Sequence, residues 1–386
     1  SLVTGQVALS MMLLVTAGLF LKSLANVSRI EIGLDPTNVV TFALNPQRNG
    51  YTLEERQDLY TRVEERLAAM PGVESVTASM VPAMGGSSWG TDVQVQGLVP
   101  EEGRDMNSRL NYVGAGYFSK MWIPLVAGRE FTEADREGAA DVMVVNEAFL
   151  RKFEIPRASA LGTRVGRSTA EGPDHQIVGV VPDTKYANMK DSASAVFYTP
   201  WMQNGGLNGL HLYVRSAADA GALASSIPTV MRELDPNLPV EGLRQFEEAI
   251  RENVFLDRMM SIMAGAFAGL ATLLAAVGLY GVLAYSVQQR TQEIGVRMAL
   301  GAQRQQVRVM VIRQMARMAV IGSLVGAGLA IWIGRSAQAL LYQLGGTDPV
   351  VMAIAGLMLA AVAIAAGYFP ARRASQVDPL EALRSE

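Results

Sequence analysis

Few side chains in this sequence are placed for bond-making chemistry. No cysteine occurs among the 386 residues, which removes thiolate nucleophiles, zinc–thiolate sites and disulfides. The two histidines, His175 and His211, belong to no H-x-x-x-H spacing, and a surface or strand-edge position is expected for each. The acid pairs Glu54-Glu55, Glu64-Glu65 and Glu247-Glu248 read as solvated helix faces rather than as paired catalytic carboxylates. A phosphate-cradling G-x-x-x-x-G-K-[ST] run is absent, since Gly301-Ala302-Gln303-Arg304 lacks the second glycine and the lysine. A nucleophile elbow G-x-S-x-G is absent too. The chain alone is therefore not expected to hydrolyse ATP, and no catalytic residue, metal or cofactor is expected.

The segment with the strongest local signal is suited to docking instead. It runs Arg290-Thr-Gln-Glu-Ile-Gly-Val-Arg-Met-Ala-Leu-Gly-Ala302. Glu293 and Arg297 stand four apart, a favourable helical pair. Ile294 and Met298 form a small apolar face beside them, and Gly301 suits a left-handed helix cap. Gln303–Met315 then resumes as a basic helix. A short helix with an apolar knob and flanking charges is a plug for a groove on another protein. The alternative is an interfacial helix lying on lipid.

Four uncharged runs must position that segment. Hydrophobic residues make up 50% of the chain and charged residues only 18%, with mean hydropathy +0.20. Soluble domains carry about 25% charged residues, so part of the molecule is expected in lipid. The runs are Ser1–Leu21, Met259–Val287, Met318–Gly334 and Pro349–Ala371. A hydrocarbon core of ~30 Å needs about 17–25 helical residues, and all four qualify. A signal peptide is the alternative for the first. Gly265-x-x-x-Gly269 and Gly322-x-x-x-Gly326 lie in the second and third runs, where small residues let helix backbones approach closely. They read as packing within the four-helix unit, with a dimer interface as the alternative.

Charge sets the orientation. Arg290, Arg297, Arg304, Arg308, Arg313 and Arg317 crowd the loop between the second and third runs, against Glu293 alone. Arg372 and Arg373 follow the fourth run, whereas Gly334–Asp348 holds only Arg335. By the positive-inside rule that loop and both termini are cytoplasmic. Asn26–Asp257 then lies outside. It carries 21 Lys+Arg and 31 Asp+Glu, a net of −10, which leaves +7 for the rest of a chain whose total is −3. With basic residues clustered only at the inner membrane face, nucleic acid is not an expected partner and the lipid bilayer is.

The outer segment reads as ordinary α/β protein. Val39–Leu44 is a strand, Thr52 and Glu55 form a capping box, and Leu53, Leu59, Val63, Leu67 and Met70 mark one apolar helix face. Pro71-Gly72 stops that helix before a strand at Val73–Ser79. A second unit follows at His211–Val214, Ala217–Leu234 and Val240–Leu243, so a split, ferredoxin-like arrangement is expected. The insert, about 88–207, alternates short strands (Asp92–Gln96, Val142–Val145, Gln176–Val181) with one helix at Glu147–Phe153. Met84–Ser88 reads as a hinge or as a plain loop. Residues 243–283 hold no proline, so a continuous helix from Leu243 into the second span is permitted.

The sequence resembles the MacB/FtsX family of ABC transporter permeases over nearly its whole length. The resemblance rests on RTQEIGVRMALGAQRQQV (290–307), PARRASQVDPLEALRSE (370–386), YFSKMWIPLVAGREFTEAD (117–135), VVNEAFLRKF (144–153), IVGVVPDTKY (177–186) and GQVALSMMLLVTAGLFLKSL (5–24). It is most similar to the second half of duplicated permeases of the acidobacterial type, and Ser1 fits a half cut from a longer protein. The resemblance implies an inner-membrane protein with four transmembrane α-helices and a large α+β periplasmic domain, a ferredoxin-like porter part with an inserted strand-rich subdomain. Implied boundaries are residues 1–25 for the first helix, 26–257 for the periplasmic core and 258–386 for an FtsX-like unit with helices at about 259–287, 318–334 and 349–371. Implied partners are a cytoplasmic ABC ATPase subunit, carrying the ATP hydrolysis, and a second permease unit, as homodimer or duplicated half. On the same basis Glu293, Ile294, Gly295, Arg297, Leu300, Gly301 and Ala302 dock on the ATPase, with Met298 on the same face. The implied role is export or extraction of a hydrophobic or peptide-like molecule by mechanotransmission. A regulatory permease controlling an envelope enzyme and a passive binding module without ATPase are the alternatives.

The cysteine-free background makes the orientation directly testable. In intact spheroplasts an impermeant thiol reagent is expected to label Asn204→Cys and not Gln303→Cys. The reverse pattern contradicts the orientation.

Overall fold

The computed structural model describes residues 2–27, 33–99, 101–167, 172–185, 193–203, 208–289, 304–338, 341, 344 and 346–374. Two compact units are present: Ser1–Arg29 with Phe255–Glu386, and Ile30–Val254.

The first unit contains four helices long and apolar enough to cross a membrane: α1 (Leu2–Val27), α7 (Phe255–Gln289), α8 (Arg304–Ser336) and α9 (Pro349–Ala374). Helix α1 touches each of the other three. Its buried residues Val3, Val7, Met11, Val15 and Leu19 recur every fourth position, one stripe along a 3.6-residue helix. They meet Leu279 and Leu283 of α7, Ala330 of α8, and Val351, Ala355, Leu359 and Ala363 of α9. Large apolar side chains such as Leu273, Val277, Leu324, Trp332, Leu357 and Ile364 are left exposed on the outer faces. In water this would be a liability, and in a bilayer it is the lipid-facing surface. The basic stretch expected before the third span is continuous with it, since α8 begins at Arg304.

The second unit is built on one twelve-stranded sheet. Four strands form its start: β1 (Val39–Leu44), β2 (Val73–Ser79), β11 (Leu210–Ser216) and β12 (Glu241–Gln245). They lie in the order β12-β1-β11-β2, all neighbours antiparallel. With α2 (Leu53–Ala68) between β1 and β2, and α5 (Ala220–Leu234) between β11 and β12, this is the expected ferredoxin-like split. The Thr52/Glu55 capping box is formed in both directions. A short helix, α6 (Phe246–Asn253), packs on β1 and β12.

The insert supplies the other strands: β3 (Gly90–Asp92), β4 (Gln94–Val95), β5 (Asn107–Val113), β6 (Ala127–Gly128), β7 (Val142–Asn146), β8 (Arg164–Gly166), β9 (His175–Val181) and β10 (Val196–Pro200), with helices α3 (Tyr117–Lys120) and α4 (Glu147–Lys152). They continue the same sheet as β5-β10-β7-β9-β8-β4, while β3 pairs with β5 and β6 with β9. The joint to the ferredoxin-like part is narrow, a single ladder pair, Ser79 with Val113. The Asn111 side chain extends it by accepting from Val81 N–H (2.9 Å) and donating to Val81 C=O (3.0 Å). Tyr213 Oη receives the Ala83 N–H at 2.7 Å on the far side.

Two expectations from the sequence are corrected. A helix starting at Leu243 is excluded, because Glu241–Gln245 pairs with Val40–Ala43 as an edge strand. No unbroken helix runs onward from α6 either: Val254 (φ −104°, ψ 2°) donates its N–H to Arg251 C=O and separates α6 from α7. Neither histidine is a fully exposed or sheet-edge group, although His211 is only half-buried. His175 is buried beside Asp174, and His211 sits in β11 with strands on both sides.

A close backbone approach holds β6 against β9. Gly128 has φ +77°, and a Cβ there would fall 2.1 Å from Val178 C=O; a Cβ on its partner Gly179 would fall 2.3 Å from Arg129 C=O. The neighbouring Arg129 makes a two-bond pair with Asp135 (2.7 and 2.8 Å), whose carboxylate also receives Thr132 N–H. Gly128→Ala or Gly179→Ala is expected to cost on the order of 2–4 kcal/mol. Chemical denaturation of the full chain in detergent measures it, and an unchanged midpoint would contradict the close approach.

Candidate functional site

The expected docking segment, Glu293, Ile294, Gly295, Arg297, Met298, Leu300, Gly301 and Ala302, lies outside the described residues. What the structure does show is the helical frame on either side of it. Helix α7 runs to Gln289 and α8 begins at Arg304, so the segment is the connection between two helices that both pack on α1.

The four glycines separate into two pairs. A Cβ on Gly322 would meet Val7 Cγ1 at 2.7 Å and Thr4 C=O at 2.9 Å. A Cβ on Gly326 would meet Ala8 C=O at 2.4 Å and Met11 Cβ at 2.7 Å. Both therefore let α8 lie directly on α1, as small residues do in membrane helix pairs. Gly265 and Gly269 of α7 have nothing within 4 Å among the described residues. In α7 it is Gly278 that receives a neighbour, Gln6 of α1, whose Oε1 is buried with no hydrogen-bond partner. Ser10 Oγ of α1 donates to Ala271 C=O at 2.7 Å. Polar side chains aimed at a neighbouring helix hold membrane helices together more specifically than apolar contact does.

One ion pair marks the end of this bundle. Lys22 Nζ, in the last turns of α1, lies 2.5 Å from Asp348 Oδ2. Asp348 Oδ1 at the same time accepts from Val350 N–H and Val351 N–H, capping α9. The C-terminal end of α1 and the N-terminal end of α9 thus lie on one side of the unit. The residues were visible in the sequence, each the first charge bordering an uncharged run, but only the fold pairs them.

In the outer unit, burial and the nearby Arg244 guanidinium push His211 down to about 4, so it is neutral at ordinary pH. No group of three or more metal-ligating side chains occurs among the described residues. Glu54, Glu55 and Glu65 are exposed as expected, but Glu64 is partly buried, with its Oε1 shielded from solvent. The structure thus defines a polytopic membrane protein with a large mixed α/β unit between its first and second spans.

Comparison with known proteins agrees. The MacB-like periplasmic core domain family matches residues 1–230, and the FtsX-like permease C-terminal family matches residues 265–379. The chain belongs to the MacB/FtsX family of ABC transporter permeases. It is 31% identical over 278 residues to the pyoverdine export ATP-binding/permease protein PvdT of Pseudomonas fluorescens Pf-5, covering 68% of this chain and 40% of that one. It is 25% identical over 333 residues to the uncharacterized ABC transporter permease YknZ of Bacillus subtilis, covering 83% and 77%. The chain spans less than half the length of the PvdT proteins it matches. Among solved structures, the periplasmic region of MacB from Actinobacillus actinomycetemcomitans aligns with TM-score 0.39 at 17% identity, over 60% of this chain and 97% of that one. The extracellular domain of YknZ aligns with TM-score 0.33 at 18% identity, over 52% and 100%. By the family match over residues 1–230, the mixed α/β unit is the extracytoplasmic domain.

The glycine geometry separates two kinds of substitution. Gly322→Val and Gly326→Val are expected to lower the thermal midpoint of the full chain in detergent by several degrees, because a branched side chain cannot fit against α1. Gly265→Val and Gly269→Val are expected to leave it within about one degree. Equal effects at all four positions would contradict the packing.

Proposed function

We propose that this chain is the force-transmitting permease of an ABC exporter in the bacterial inner membrane. Its Arg290–Ala302 segment docks on a cytoplasmic ATPase. Nucleotide-driven movement of that ATPase passes through the membrane helices to the extracytoplasmic unit, which expels a hydrophobic or peptide-like substrate. A second permease unit, from another copy or from the other half of a longer chain, completes the complex. The N- and C-termini and the docking segment are cytoplasmic.

The observation that carries this reading is the joining of three features in one chain. A family-typical outer unit is inserted between α1 and α7. The connection between α7 and α8 is short, basic and equipped with an apolar knob. The two helices it joins both pack on α1, the helix that leads into the outer unit. A push on the α7–α8 connection is therefore delivered to helices on either side of α1 rather than to a free loop. The name of the relative PvdT, a pyoverdine export protein, supports export as the direction.

Burying Ile294 and Met298 in a groove of the ATPase contributes about 1.5–3 kcal/mol per side chain. Glu293 and Arg297 at the rim set register more than affinity. Ile294→Asp is expected to lower recovery of the ATPase with the tagged permease at least tenfold, since a charge enters an apolar groove. Glu293→Gln is expected to lower it less, and expression of both variants is expected to match the wild type. Full ATPase recovery with Ile294→Asp would make the segment a lipid-surface helix and contradict the docking assignment.

A further inference from the structure

One exposed tryptophan of the outer unit sits in a backbone conformation that its residue type does not favour. Trp122, two residues after α3, has φ +60°. That left-handed region suits glycine, and a bulky side chain there is an outlier that the surrounding structure has to impose. The imposing contacts lie on either side of it. Met121 and Ile123 are buried in one apolar cluster with Phe118 and Phe131, and Ile123 donates its N–H to Phe118 C=O at 2.7 Å. With both neighbours drawn inward, the Trp122 ring stays 62% exposed. Leu125, just past Pro124, is 40% exposed, and Trp122, Pro124 and Leu125 line one shallow concavity with Ser119, Ile123 and Glu130. The other large apolar side chains exposed on the described part of the outer unit, Trp89, Val99 and Leu161, stand singly in the sequence.

Both chain connections of the outer unit converge on this patch. On the entry side, Asp35 donates its N–H to Met121 C=O at 3.3 Å, and Leu34 packs on the cluster that holds Met121 and Ile123. The Arg215 guanidinium lies 5.6 Å from the centre of the Trp122 ring and donates to Asp35 C=O and Thr37 C=O, both at 2.8 Å. Helix α1 ends at Val27, eight residues before Asp35, a reach of at most ~29 Å. On the exit side, Phe246 and Ala249 of α6 belong to the same cluster, and Val254 alone separates α6 from α7. The uncharged run of α7 begins at Met259, four residues after Phe255.

We propose that Trp122 and Leu125 form a lipid anchor, a small apolar wedge that enters the headgroup region of the outer leaflet and holds the extracytoplasmic unit on the bilayer at a point besides its two chain connections.

Area decides between lipid and protein as the occupant. A stable protein interface takes roughly 800 Å² from each partner, and one aromatic side chain supplies only about 150–250 Å². Trp122 with Pro124 and Leu125 falls well short of that. A bilayer asks for less, because the spans already keep the unit at the membrane and the docking is intramolecular, at high effective concentration. Trp is also the side chain enriched at the membrane–water interface, where its apolar body and its N–H are both satisfied. The cation–π contact with Arg215, itself buried and fixed by the Asp35 and Thr37 carbonyls, ties the ring to the segment that arrives from α1.

The test uses the full chain in nanodiscs of plain phosphatidylcholine and of phosphatidylcholine brominated near the carbonyl end of its acyl chains. Trp332, exposed on α8, is first replaced by Phe to remove its own signal from lipid. The emission that Trp122→Phe then subtracts is expected to fall roughly twofold or more in the brominated discs, as an interfacial indole requires. A second measurement leaves Trp122 in place. The cysteine-free chain admits a single nitroxide at Leu125→Cys. Its relaxation is expected to respond more to lipid-soluble oxygen than to a water-soluble nickel chelate, and Trp122→Ser is expected to reverse that order. Trp122 emission equal in the two kinds of disc overturns the proposal. So does a nitroxide more accessible to the nickel chelate, which places the loop in water, or one shielded from both reagents, which places it against protein.

Discussion

Charge is expensive in hydrocarbon, and an unpaired backbone group there costs several kcal/mol. The whole organisation of this chain follows from that constraint. Its charges are withdrawn from four runs that become α1, α7, α8 and α9, and are collected in Asn26–Asp257 (net −10) and around the connections and C-terminus (net +7 for the remainder). Helix α1 then becomes the centre of its unit: it touches the other three spans, its apolar stripe meets residues of each, Gln6 and Ser10 are aimed at α7, and Gly322 and Gly326 of α8 are laid against it. The single strong ion pair of this unit among the described residues, Lys22 with Asp348, stands at the end of α1, next to the border of the uncharged runs.

The outer unit meets a different constraint. A ferredoxin-like strand–helix–strand pair has been opened between β2 and β11 to admit about 130 residues of insert, and the sheet has to remain continuous or expose two edges. The solution is a single ladder pair, Ser79 with Val113, strengthened by the Asn111 clamp on Val81 and by Tyr213. A joint this narrow transmits little stiffness by main-chain pairing alone. The buried rings of Tyr60 on α2 and Trp201 after β10, which meet edge-to-face, add side-chain packing between the two parts.

Much of this was readable from local signals. The Thr52/Glu55 box and Pro71-Gly72 bracket α2, β1 and β7 are apolar runs, and β2 follows directly on the Pro71-Gly72 stop. Strand β5 (NSRLNYV) carries no such signal, because polar residues fill its first half and its burial depends on β10 and β3 arriving from elsewhere in the sequence. Strand β10 ends in Pro200, which disguises an interior strand. The break at Val254 has no proline or glycine to announce it. Glu64 reads in the sequence as one half of a solvated acid pair, and only the fold, which brings Gly114 beside it, shields its Oε1. The two glycine motifs were indistinguishable as patterns, since what separates them is α1, which approaches Gly322 and Gly326 and leaves Gly265 and Gly269 open among the described residues.

The central claim is that nucleotide state on one side of the membrane alters the protein on the other. Hydrogen exchange of the full complex in nanodiscs, with and without a trapped nucleotide on the ATPase, tests it most directly. The account predicts altered protection in peptides of the extracytoplasmic unit, concentrated where the chain enters and leaves it, near Asp35 and α6. A response confined to the α7–α8 connection and the ATPase, with every peptide of residues 33–253 unchanged, would contradict it.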